Sequence, residues 1–183
     1  MKIKFVYIVL SLLVISNRLI GQNENQNVMS DEAYELINNL FDSKDDVGIY
    51  KLTDFSKTWM YLMSPNQLDN LMGPPCNDGN KLIKWSEIFS DEDFKSIIEK
   101  IINSTPLELD RKRLNAHITL EDSFEPIGKS YKTVSSISQP IIINNYAIIK
   151  RSGLKGESII VAKKLNGTWK VVCHKTVFGI SED

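Results

Sequence analysis

Histidine and cysteine each occur only twice in the 183 residues. With His117 and His174 alone, a histidine-rich zinc site is excluded, and a mixed site would need Cys173 or a carboxylate brought close by folding. Cys173 and His174 are neighbours, so in a strand they point to opposite faces and do not ligate together. The chain has no Gly-x-Ser-x-Gly, His-Glu-x-x-His, Gly-x-x-x-x-Gly-Lys-Ser/Thr or Gly-x-Gly-x-x-Gly, so the common enzyme fingerprints are missing. No apolar run reaches the roughly 20 residues of a membrane-spanning helix. Charge of one sign is also lacking: 22 basic residues face 23 acidic ones, for a formal net charge of -1, which speaks against a general nucleic-acid binder. Nine glycines and six prolines exclude a collagen-like chain, and we find no internal repeat. What is present, 42% apolar and 25% charged residues, is the composition of a globular protein.

The N-terminus reads as a signal peptide over residues 1–21. Met1-Lys2-Ile3-Lys4 is a basic start, residues 5–15 form an almost wholly apolar stretch too short to span a bilayer, and Asn17 and Arg18 follow. Cleavage is expected after the small Gly21, although Leu19 is a poor residue three places before the cut. Leu19-Ile20-Gly21 resembles the start of a bacterial lipoprotein signal, but Gln22 stands where the lipidated cysteine belongs. Removal of Lys2, Lys4 and Arg18 leaves a mature chain of net charge about -4. Gln/Asn-rich residues 22–29 read as a flexible leader and 30–183 as one α+β domain, long enough to bury a core without metals. Export allows oxidation, so Cys76 and Cys173 are expected to pair, two buried thiols being the alternative.

Ser30 caps a helix predicted over 31–42, with Asp31 and Glu32 in its first turn and Ala33, Leu36, Ile37, Leu40 and Phe41 at helical spacing. Ser64-Pro65-Asn66-Gln67 starts a second helix that Gly73-Pro74-Pro75 stops. The third runs from its Ser90 cap to Asn103, with Phe94, Ile97, Ile98, Ile101 and Ile102 as one stripe. Runs 47–52 and 58–63 have no clean period and stay unassigned between strand and helix. From about 115 onward the pattern is β: 116–120, 131–137, 141–150, 158–165 and 168–178 are rich in Ile, Val, Thr and aromatics. Asn144-Asn145 and Asn166-Gly167 punctuate these runs as hairpin turns. The expected architecture is therefore α+β, N-terminal helices packed on a C-terminal antiparallel β-meander.

The segment from Ser138-Gln139-Pro140-Ile141-Ile142-Ile143-Asn144-Asn145 through Lys163-Lys164-Leu165-Asn166-Gly167-Thr168-Trp169-Lys170 to Ile180-Ser181 resembles small exported proteins of Bacteroidetes. Only the last 45 or so residues carry that resemblance, and Arg151-Ser152-Gly153-Leu154-Lys155-Gly156-Glu157 lacks the cysteine of that group's middle connection. It implies export, and no known active site carries over from it. Helices followed by a sheet ending in a Gly-x-Trp-Lys hairpin are also similar to NTF2-like and cystatin-like folds, which implies a pocket between helices and sheet, here near Tyr146 and Trp169.

Remaining candidates are weak on chemistry. Cys76 in its Gly/Pro-rich loop has no nucleophile signature around it. Asp42-Ser43-Lys44-Asp45-Asp46-Val47-Gly48 fails as a calcium loop, because Lys44 and Val47 occupy a ligand position and the turn glycine. Basic Arg111-Lys112-Arg113 and Lys150-Arg151 with Lys155 lie near acids and lack interleaved aromatics. Trp59, Trp85 and Trp169 sit in separate segments and read as core. No catalytic residue, cofactor or metal is implied. The leading expectation is an exported periplasmic or extracellular domain that binds an unidentified protein of the cell envelope, without nucleic acid and without a membrane span after signal removal. A small-ligand carrier, or an enzyme using His117 or His174 in a cleft, are the alternatives.

Overall fold

The computed structural model describes residues 28–42, 46–54, 69–71, 74–79, 81–122, 133–153 and 156–179. The expected signal peptide, most of the expected leader, Trp59, the 58–63 run and most of the helix expected at 64–72 lie outside the described residues.

Helix α1 (Asp31–Leu40) starts where its cap dictates, with the Ser30 hydroxyl accepting from the Ala33 amide at 3.2 Å. Strand β1 (Val47–Tyr50) follows, then a hairpin of β2 (Cys76–Asp78) and β3 (Lys81–Ile83), and the one-turn α2 (Trp85–Ile88). Helix α3 (Asp91–Asn103) begins with a complete capping box, in which Ser90 and Asp93 satisfy each other's backbone amides. A 3-10 turn at Arg111–Arg113 leads to β4 (Ile118–Glu121), β5 (Thr133–Ile137), β6 (Ile141–Ile143), β7 (Tyr146–Gly153), β8 (Gly156–Leu165) and β9 (Thr168–Gly179).

Seven strands form one sheet in the order β4-β1-β5-β7-β8-β9, with β6 also paired to β7. The last three strands are the expected meander. At the β8–β9 turn, Asn166 and Gly167 both adopt positive φ (51° and 84°), the conformation a type I′ turn demands. At the β6–β7 turn only Asn144 does, at 55°. The sheet is mixed rather than wholly antiparallel, because β1 runs parallel to both β4 and β5. Strand β1 lies between two neighbours, and its alternation is interrupted by Gly48, which explains why the sequence shows no clean period there.

The sheet is covered on both faces. On one, Leu36, Ile37 and Ala33 of α1 pack with Ile49, Ile118, Ala147, Ile149, Ile160, Ala162 and Trp169. On the other, Phe94, Ile97 and Ile101 of α3 join Trp85, Phe89, Ile148, Ile159 and Val161. Cys76 and Cys173 form a disulfide here, joining the β2–β3 hairpin to β9 across 97 residues. The hairpin is also held by an ion pair from Asp78 to Lys163. No described helix is long and apolar enough to cross a membrane.

Candidate functional site

Lys150 of β7 is the structural anomaly of the α3 face. It follows Ile148 on the same side of the strand, where a further aliphatic would be expected, and its side chain is only 1% exposed. Its Nζ lies 2.9 Å from Asp54 Oδ2 and 3.1 Å from Glu157 Oε1. Both are close ion pairs.

The backbone delivers both carboxylates. Glu157 stands opposite Ser152 across β7 and β8, one pair beyond Lys150 on the same face. Asp54 comes from the chain leaving β1, which is stitched on both sides. Thr53 N donates to Leu107 O at 2.9 Å, Leu107 N donates to Thr53 Oγ1 at 2.8 Å, and Asp54 N donates to Ile137 O. Ser138 completes the stitch, its N donating to Lys150 O and its Oγ accepting from Lys150 N, both at 2.9 Å. The Asp54–Lys150–Glu157 cluster is therefore positioned by main-chain bonds on every side.

This cluster underlies a groove of about 590 Å³ at the carboxyl ends of the parallel strands β1 and β4. In open sheets with parallel strands, that end is where ligands commonly bind. Tyr50 and Leu52 supply apolar surface, Ser136 and Ser152 hydroxyls, and Asp54, Glu108, Glu121, Asp122 and Glu157 five carboxylates. Against these stand Lys150 and Lys51. Lys51 Nζ contacts Glu108 at 2.9 Å and Asp122 at 3.8 Å, and the bond to Glu108 raises its pKa. Partial burial, and then the neighbouring Glu121 charge, raise the pKa of the Tyr50 phenol. The described lining is thus rich in negative charge, with one lysine at the rim and one beneath the floor.

The residues singled out in the sequence lie elsewhere. Cys76 and Cys173 are bonded to each other, which leaves Cys76 no thiolate for nucleophilic chemistry. Tyr146 and Trp169 are not brought together. Tyr146 packs edge-on to Phe89 on the α3 face, whereas Trp169, 2% exposed, packs beside Leu36 on the α1 face. Among the described residues the two share no pocket, because their strands present them to opposite sides of the sheet. His117 Nε2 contacts Phe41 O. His174 is exposed on the α1 side of β9, and burial of part of its ring, then the Arg151 charge, lower its pKa. Neither histidine lines a described groove. Among the described residues no group of three or more His, Cys, Asp or Glu side chains is placed to hold a metal ion.

Sequence reasoning missed Asp54 and Glu157 and weighed Lys150 only as part of a basic cluster. A signal was there: Lys150 closes the run 146–149 in phase with Ile148, so a strand buried on that side obliges it to find anions. No protein family, curated protein or solved structure matches the chain.

Proposed function

We propose that this chain is an exported, disulfide-linked binding domain, without catalytic activity of its own, whose groove over Lys150 receives a basic segment of a partner protein. The observation that carries the reading is the groove's lining, five carboxylates against Lys51, which pairs with Glu108 and Asp122, while Lys150 beneath the floor is held by Asp54 and Glu157. Such a surface attracts Lys or Arg side chains and repels acidic partners. The basic, apolar, then polar order of residues 1–21 and the oxidised cysteine pair support export to the periplasm or beyond. The resemblance of the last 45 or so residues to small exported proteins of Bacteroidetes supports the same setting. A carrier built like the NTF2-like or cystatin-like folds would enclose an apolar ligand between helix and sheet. The groove's open, charged lining favours a peptide segment instead.

The test is calorimetric titration of the oxidised protein with a short Lys/Arg-rich peptide and with its acidic counterpart. The basic peptide is expected to bind at low salt and to weaken as salt rises. Glu108→Gln with Asp122→Asn should weaken it about fivefold, taking roughly 0.5 kcal/mol for each exposed charge. Asp91→Asn with Glu92→Gln removes the same charge from exposed positions of α3 and should leave the affinity within about twofold. Equal losses from the two double variants, or equal binding of the acidic peptide, would show that the groove is not the receptor.

A further inference from the structure

Lys175 of β9 is a second lysine buried on the α3 face, only 5% exposed. It lies in the same row as Lys150, because Lys150 pairs across with Ile159 and Ile159 with Lys175. The two differ in their company. Lys150 is flanked by two carboxylates, whereas no hydrogen bond or ion pair reaches Lys175 among the described residues. What little of Lys175 is exposed lines a separate groove of about 590 Å³ beside the Cys76–Cys173 disulfide, between the β2–β3 hairpin and α2.

The stem of Lys175 is buried while no described side chain partners its ammonium, so an anion entering the groove can pair with it. The two acids in the lining are already engaged. Asp69 Oδ1 accepts the Trp85 amide at 2.8 Å, and Glu87 is 3.8 Å from Lys81. They also limit the charge of a ligand, since a dianion would meet two carboxylates along with Lys175 and the exposed Lys84. Apolar surface from Pro75, Leu82 and Ile83 completes the wall. We infer that this groove binds a small organic monocarboxylate, its carboxylate on Lys175 Nζ and its apolar body against Pro75, Leu82 and Ile83. The site is distinct from the groove over Lys150 and stands whether or not that groove binds a basic peptide.

The experiment is an amide NMR titration of the oxidised protein with benzoate, inorganic phosphate and benzylamine as three separate probes. Benzoate is expected to shift the amides of Cys76, Ser86 and Lys175 saturably, while phosphate and benzylamine do not saturate there. Lys175→Met should weaken benzoate at least about tenfold. It should also melt no lower than the parent, because methionine fills the place of the buried stem and no described ion pair is lost. Lys84→Met, at the exposed rim, should change the affinity less than about threefold. Three results overturn the proposal: no saturable benzoate shift at those amides, equal binding of benzylamine, or benzoate binding retained in Lys175→Met. A Lys175→Met protein that melts well below the parent would also overturn it, since the lysine would then be a structural partner rather than a vacant receptor. The comparison of the three probes on the parent needs no variant and decides the charge preference by itself.

Discussion

Reducing the Cys76–Cys173 disulfide tests how the β2–β3 hairpin is held on the sheet. The bridge closes a loop of 97 residues, and the chain-entropy relation assigns a loop of about that length some 4.7 kcal/mol. Part of that is offset where the reduced chain keeps structure, so the expected loss is about 3–5 kcal/mol. For a chain of this size each kcal/mol moves the melting temperature by roughly 2–4 °C, which places the reduced protein about 6–20 °C below the oxidised one. Among the described residues the hairpin's other anchors are weak. Leu82 is exposed, Ile83 only partly buried, and the Asp78–Lys163 ion pair is only partly shielded from water. The assay is calorimetric melting with and without reductant, repeated on Cys76→Ala/Cys173→Ala, with hydrogen exchange at Cys76, Asn77 and Asp78 to separate loosening of the hairpin from unfolding of the sheet. Melting temperatures within about 3 °C of each other would refute the reasoning, because they would mean the hairpin docks with the same free energy when its ends are free.

Two further outcomes follow from buried or partly buried charge. Lys150→Met leaves Asp54 and Glu157 facing each other. Their side chains remain 21% and 29% exposed and can take up water, so the loss should sit near or below the roughly 3 kcal/mol lower bound for breaking a buried pair. Adding Asp54→Asn and Glu157→Gln should recover part of it, whereas a denaturation midpoint unchanged by Lys150→Met would rule out the cluster as an electrostatic unit. His174 has a lowered folded pKa, caused by burial and then by Arg151, so the unfolded chain takes up its proton first as pH falls. The parent should therefore lose stability as pH drops below about 6.5, and His174→Gln should lose less over the same interval. Identical stability-versus-pH curves for the two proteins would contradict that sign.

The sequence by itself determined the elements whose signals are local. Ser30 and Ser90 mark helix starts through side-chain bonds to amides three residues on, and Asn166-Gly167 marks a turn that few residue pairs can enter. The β-branched and aromatic runs of β7 to β9, punctuated by turn residues, similarly pointed to a hairpin sheet, and two cysteines allowed only one intramolecular pairing. Tertiary structure decided the rest, because the deciding contacts join residues far apart in the chain. Strand β1 pairs in parallel with β4 and β5, whose residues lie about 70 and 85 positions later, and nothing in a short window encodes such a partner. Tyr146 and Trp169 were each readable as half-buried aromatics, but which face of the sheet each meets depends on register and on the helix that covers it. Lys150 and Lys175 look alike in sequence. Only the fold brings Asp54 and Glu157 to the first and leaves the second facing an open groove, because a side chain's charge is local while its neutralisation is not.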